Sequence, residues 1–131
     1  MDELNRVVIC LGSNWNQEQN IERAEKMLRA HFVFIRFAPA VYTDPVNCVG
    51  HSKFLNQVVI VKSENSADQI IRMLKKMEIS IGRTPEDKSK GRVPIDIDLL
   101  RWNDQVLKPE DFERPYVLDG IRWLQEKECA I

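Results

Sequence analysis

From Ile95 to Leu100 the sequence alternates with a period of two, so Ile95, Ile97 and Leu99 point one way and Asp96, Asp98 and Leu100 the other. The pattern is that of a β-strand, and it carries two acids on one face. At about 3.3 Å rise per residue their Cα atoms lie roughly 6.6 Å apart, with both carboxylates projecting into one volume. Aspartate is depleted from strands, and like charges on one face repel unless something positive lies between them. Two readings fit. One is a site for hard divalent cations such as Mg²⁺, which takes one or two protein carboxylates and fills its other positions with water and substrate phosphate oxygens. The other is a half-buried antiparallel strand whose polar face meets water.

The residues just before this strand bear on the choice. Between Arg83 and Arg92 the chain places Arg83, Lys88, Lys90 and Arg92 against Glu86 and Asp87, with Pro85 and Gly91 and no apolar periodicity. That composition predicts a mobile loop without regular structure. A cationic loop opening onto an acidic pair suits phosphoryl transfer, where most of the catalysis is positioning and charge neutralisation.

The 131 residues carry a formal net charge of -1, which leaves no strong field for nucleic acid or a membrane surface, so affinity for an anion must be local. No apolar run approaches the length of about 20 residues that a membrane span needs, and the first residues lack a signal-peptide pattern, so a cytoplasmic protein is expected. Cys10, Cys48 and Cys129 are odd in number and widely spaced, which indicates neither a disulfide framework nor a zinc site. Cys10 is expected in the core. His31 and His51 are too isolated for a metal site or a nucleophilic triad.

Along the chain, Val7 to Leu11 form an apolar run ended by Gly12-Ser13-Asn14, which predicts a central strand and a turn. Asn16 and Gln19 resemble a capping box for a helix reaching about residue 30. A strand is expected from 32 to 42 with a bend at Pro39, then a loop over 43–52 long enough to line a pocket. Another strand covers 54–61, with Asn56 as its odd polar member. Ser66 and Gln69 form a second capping box, Ile70, Leu74, Met77 and Ile81 keep helical spacing, and Gly82 marks the stop, predicting a helix over 67–81. Glu78 flanks its apolar stripe, either pointing inward or forming a boundary salt bridge. Asn103-Asp104 makes a turn into a short hairpin partner, and Val117, Leu118, Ile121, Trp123 and Leu124 suggest a last short helix. The order predicts one α+β domain over 1–131: a ferredoxin-like β-α-β-β-α-β antiparallel sheet with helices on one face, plus a short C-terminal hairpin and helix.

With these residues in place the chain resembles the 6-hydroxymethyl-7,8-dihydropterin pyrophosphokinase family of folate biosynthesis. The likeness rests on Leu11-Gly12-Ser13-Asn14, Tyr42-Thr43-Asp44-Pro45, Phe54-Leu55-Asn56, Glu78 with Gly82-Arg83, and Asp96-Ile97-Asp98-Leu99-Leu100, and it covers nearly the whole chain up to the last ten or so residues. It implies ATP-dependent transfer of pyrophosphate to the hydroxymethyl group of the pterin alcohol, releasing AMP. It also implies two Mg²⁺ ions on Asp96 and Asp98, with Arg83 and Arg92 assisting the transfer. On the nucleotide side it places Lys75, Glu78, Arg83, Lys90 and Tyr116. On the pterin side it places Asp44, Pro45, Phe54, Asn56 and Trp123, with Asn56 reading the amide edge and the aromatics stacking on the ring. The implied partners are the two small-molecule substrates, with neither nucleic acid nor membrane, and the expected state is a monomer.

The chain departs from the family's pattern at several points. Val93 stands where the family has an arginine, with Arg92 one residue early. Such a shift turns a side chain to the other face unless the backbone bulges. Tyr116 stands where the family has a histidine, the terminal Arg-x-Phe becomes Arg122-Trp123, and the chain reads as a short member ending at Ile131. These departures leave open an alternative: a catalytically weakened homologue that binds pterin or nucleotide as a sensor or partner subunit.

Overall fold

Two strands with near-continuous apolar runs set the architecture of the protein, whose computed structural model describes residues 4–44 and 52–129. In β1 (Asn5–Ser13) every position from Val7 onward is buried, and in β4 (Phe54–Ser63) only the residues near its ends reach solvent. Strands buried on both faces belong to the middle of a sheet covered on both sides. They pair antiparallel with each other, β5 (Asp96–Trp102) pairs with the free side of β1, and β2 (Phe34–Phe37) and β3 (Val41–Thr43) both pair with the free side of β4. The two-residue β6 (Gln105–Val106) closes a hairpin on β5 around Asn103, which takes a positive φ of 51°. The order β2-β4-β1-β5-β6 is that of the expected ferredoxin-like α+β fold.

Helices α1 (Gln17–His31) and α2 (Ala67–Ile81) cover one face, where Ile21, Leu28, Ile70 and Leu74 pack on Val7, Ile9, Val59, Ile97 and Leu99. The Ser66–Gln69 capping box is present in both directions, and α2 ends at Gly82 with φ +124°. The expected short C-terminal helix is instead fifteen residues, α5 (Pro115–Cys129), preceded by the single turn α4 (Pro109–Phe112). It lies on the opposite face, where Val117 and Leu124 pack on Val8, Cys10, Ile60 and Leu100. Gly120 permits the contact, since a Cβ there would fall 2.7 Å from Val58 Cγ2. Apolar side chains on both sides of β1 and β4 require this second layer. Among the described residues no helix is long and apolar enough to cross a membrane.

Three local expectations are corrected. The strand predicted across 32–42 is broken in two: Phe37 pairs with Val59 and Val41 with Asn56, a one-residue shift in register at Ala38-Pro39-Ala40. Proline has no N–H for the ladder, so the bend is where pairing lapses. Asn16 does not cap α1 with its side chain. It adopts φ 48° and ψ 48°, whereas a capping side chain needs an extended backbone. The turn is tied instead by the Ser13 hydroxyl and the Asn20 amide, which donate to the Trp15 carbonyl at 3.0 and 2.9 Å. The basic loop is not wholly irregular, because it contains the short helix α3 (Pro85–Ser89). The Asp87 carboxylate accepts the Thr84 N–H at 2.7 Å and organises that turn.

Candidate active site

The site is built on three neighbouring strands. Gly12 of β1 is paired with Asn56 of β4 on one side and with Asp96 of β5 on the other, and Cys10 is likewise flanked by Val58 and Asp98. Residues in register share a face, so Asn56, Gly12 and Asp96 form one row and Val58, Cys10 and Asp98 the next. With strands about 4.8 Å apart, the Asn56 and Asp96 backbones stand roughly 9.6 Å from each other across a residue that has no side chain. The expected shared face of the two acids is thus present, and it is the face under α5.

Each acid is neutralised by a cation of the protein. Asp96 is hydrogen-bonded to the Arg83 guanidinium, which also stands 3.4 Å from Glu78 Oε1, and Asp98 accepts from Lys108 Nζ at 2.8 Å. Glu78 is 5% exposed and points inward, its Oε2 accepting the Ile97 N–H between the two aspartates at 2.7 Å. Burial raises the Glu78 carboxyl above the ordinary range, against the pull of that N–H and of Arg83. Burial also raises Asp96, with Arg83 opposing and the Asp98 charge adding to the rise. At Lys108 burial works against the ammonium, but the bond to Asp98 and the neighbouring carboxylates outweigh it and raise its pKa. Cys10 is free and buried, its thiol pushed up to about 12 by burial, with the Tyr116 hydroxyl 3.9 Å from its sulfur. Burial raises the Tyr116 hydroxyl as well.

The acid pair opens into a concavity with two lobes. The inner lobe, about 170 Å³, is lined by Gly12, Phe54, Asn56, Asp96, Asp98 and Asp111 among others. The outer lobe, about 600 Å³, runs between β3 and α5 past Tyr42, Val58, Gly120 and Trp123. Thr43, Asp44, Asn56, Arg114 and Tyr116 border both. Asn56 Nδ2 donates to Thr43 Oγ1 at 2.6 Å, which fixes the amide plane at the junction. Trp123 is 38% exposed and borders the outer lobe, while its neighbour Leu124, 2% exposed, anchors α5 in the core. A Cβ on Gly12 would sit 3.4 Å from Asn56 Oδ1 and 3.8 Å from the Phe54 ring. Gly12→Val is therefore expected to fill the inner lobe and weaken ligand binding by about 100-fold. Equilibrium binding of the small-molecule substrates that the family resemblance implies checks this, with circular dichroism to show that the fold survives.

Other predicted residues lie elsewhere. Arg92 is paired with Asp87 at 3.3 Å and stacked 4.7 Å from the Trp15 ring, its buried Nε without a hydrogen-bond partner among the described residues. It does not line the inner lobe. Lys75 is exposed on α2, close enough for its charge to favour ionised Glu78, and Lys90 is exposed at the end of α3. Pro45, Cys48, His51 and the centre of the 43–52 loop lie outside the described residues.

The sequence reading missed Lys108, Asp111 and Arg114, which α4 and its junction with α5 carry to the acids. It also gave Asn14 no role, yet that side chain tethers the end of the basic loop. Its Nδ2 donates to the Gly91 carbonyl at 3.1 Å and its Oδ1 accepts the Val93 N–H at 2.5 Å.

Among the described residues no three His, Cys, Asp or Glu side chains gather as a metal cage. Two carboxylates beside open volume fit a hard cation that completes its shell with water and phosphate oxygens, rather than one enclosed by protein. That the fold already supplies a cation to each acid shows how strongly the pair demands positive charge.

Comparison with known proteins identifies the family. The family model described as 7,8-dihydro-6-hydroxymethylpterin-pyrophosphokinase (HPPK) matches residues 8–126. A folate synthesis bifunctional protein of Arabidopsis thaliana is 29% identical over 122 residues, covering 86% of this chain and 25% of the relative. A 2-amino-4-hydroxy-6-hydroxymethyldihydropteridine pyrophosphokinase of Bacillus subtilis is 29% identical, covering 86% of this chain and 68% of the relative. One of Porphyromonas gingivalis is 31% identical, covering 90% of this chain and 92% of the relative. The chain thus spans about a quarter of the plant bifunctional proteins and most of the bacterial pyrophosphokinases.

Proposed function

This chain belongs to the 7,8-dihydro-6-hydroxymethylpterin-pyrophosphokinase family, and we propose that it transfers pyrophosphate from ATP to the hydroxymethyl oxygen of 6-hydroxymethyl-7,8-dihydropterin, releasing AMP, as a step of folate biosynthesis. The observation that carries this reading is the continuity of the acid pair with the Asn56 cleft: one concavity offers a phosphate end and an end suited to a flat heterocycle.

In this reading Asp96 and Asp98 would hold Mg²⁺. When bound, the metal neutralises phosphate oxygens and makes the β-phosphorus more electrophilic. Asn56, its Nδ2 donating to Thr43 Oγ1 at 2.6 Å and to the Phe54 carbonyl at 3.4 Å, presents its amide oxygen to the N–H groups of the pterin's amide edge. Phe54 packs on the ring from the inner lobe and Trp123 borders it from α5, with Asp44 at the rim, while Tyr116, expected on the nucleotide side, lines both lobes. Arg83, oriented by Glu78, presents its guanidinium to the phosphates beside Asp96. Lys75 and Lys90 add positive charge on the nucleotide side. Arg92 would have to leave Asp87 and Trp15 to reach a phosphate.

The hydroxymethyl oxygen forms a bond to the β-phosphorus as the bond from that phosphorus to the bridging oxygen breaks. AMP leaves with the bridging oxygen, and the hydroxyl proton passes to the acidic end of the cavity.

Incubating the protein with ATP, Mg²⁺ and the pterin alcohol, and separating the nucleotides by chromatography, tests the proposal. AMP appearing in step with pterin pyrophosphate is the expected outcome. Formation of ADP, or bound ligands with no AMP, would contradict it, the latter pointing to a sensor.

A further inference from the structure

We infer that Lys108 is an exchangeable counter-ion of the acid pair, neutralising Asp98 while no metal is bound and transferring to the nucleotide's phosphates when metal and nucleotide enter together. This rests on the reading of Asp96 and Asp98 as metal ligands.

The two resident cations are held differently. Arg83 spans two carboxylates, so when Asp96 turns to a metal the guanidinium keeps Glu78 at 3.4 Å. Lys108 has no such second bond among the described contacts: its ammonium is hydrogen-bonded to Asp98 alone, at 2.8 Å. Its backbone, by contrast, is fixed. The Leu107 N–H donates to the Leu100 carbonyl at 2.8 Å, and the Phe112 N–H to the Lys108 carbonyl at 2.9 Å as α4 begins. The ammonium therefore hangs from a rigid anchor on a flexible four-carbon stem, with the side chain 46% exposed beside Asp98.

A divalent ion on Asp98 would take the lysine's hydrogen-bond acceptor and stand within a few ångströms of a like charge. Metal alone must overcome both losses. Metal arriving with a triphosphate brings a new anion to the same place, and the stem is long enough to follow it. The lysine thus opposes the free ion and favours the metal–nucleotide complex, coupling the two binding events through one charge.

The full chain is titrated with Mn²⁺, free ion being read by electron paramagnetic resonance. Titrations are run without nucleotide and with an ATP analogue whose α and β phosphorus atoms are joined by a methylene. Lys108→Met is expected to bind Mn²⁺ alone about tenfold more tightly than wild type, and the analogue at saturating Mn²⁺ about tenfold more weakly. Lys108→Arg keeps the charge and is expected to stay near wild type in both. Opposite shifts are the signature, because a lysine that only supports the fold would move both affinities the same way. Shifts in one direction, or none, overturn the inference while leaving the metal reading intact if wild-type Mn²⁺ binding is lost in Asp98→Asn. Wild-type Mn²⁺ binding that is absent, or indifferent to Asp98→Asn, overturns the metal reading and this inference with it.

Discussion

Asp98→Asn is expected to lower the rate of AMP formation by about 1000-fold, with the fold left standing. The substitution keeps the shape of a side chain that faces a cavity and removes the charge that a hard cation requires. Asp96→Asn should act alike, and the double variant should be little worse than either single one, because the two carboxylates serve one metal-bound triphosphate and their effects do not add. Neither change leaves a large hole or an orphaned backbone group. Arg83 retains Glu78, and Lys108 retains the fields of Asp96 and Asp111. Nucleotide chromatography measures the rate, and thermal unfolding shows that structure is not the cause. Activity within about fivefold of wild type in either variant would contradict the metal role.

Glu78→Ala is expected to cost the fold about 3 kcal/mol. The carboxylate accepts the Ile97 N–H at 2.7 Å in the stretch of β5 that carries the acids, and it steadies Arg83 at 3.4 Å. Truncation leaves a buried N–H unpaired and opens a void beneath the strand. Glu78→Gln, whose amide oxygen still accepts the N–H, should cost about 1 kcal/mol. Urea unfolding separates the two, and equal losses would show that the hydrogen bond is not what the side chain supplies.

The pH dependence follows from the direction of the shift. Because the folded protein raises the Glu78 carboxyl, the native state binds a proton that the unfolded chain has already released. Its contribution to metal-free stability is fully present below the unfolded value of about 4.3 and is lost as pH rises through the raised folded value. Wild type should therefore gain on Glu78→Gln as the pH is lowered through that window.

The acid pair was legible because the period of a strand is two and needs no tertiary information: Asp96 and Asp98 share a face in any fold that keeps the strand. The Ser66–Gln69 cap was legible for a similar reason, since both partners lie within one turn. Asn16 and Gln19 offered the same letters, but the backbone at Asn16 is left-handed, and only the path of the chain out of β1 decides that. The second helical layer was encoded in the unbroken apolar run of β1 and in the Leu99-Leu100 doublet, whose adjacent leucines face opposite sides of the sheet and so need cover on both. Lys108 and Arg114 could not be found by spacing. They reach the acids because α4 and α5 fold back over the sheet, a placement set by Phe112, Val117 and Leu124 in the core rather than by any motif around the charges. Arg92, which the family resemblance implies at the phosphates although it stands one residue early, is held away from the inner lobe by Asp87 and Trp15, contacts no local pattern announces.

The most direct measurement is a crystal of the protein grown with Mn²⁺ and the methylene-bridged ATP analogue, examined by anomalous scattering at the manganese edge. A metal role for Asp96 and Asp98 predicts manganese within about 2.2 Å of carboxylate oxygens from both, sharing its remaining positions with the triphosphate, and the Lys108 ammonium moved from Asp98 to a phosphate oxygen. An analogue bound elsewhere, or acids still bonded to Arg83 and Lys108 with no manganese between them, would contradict it.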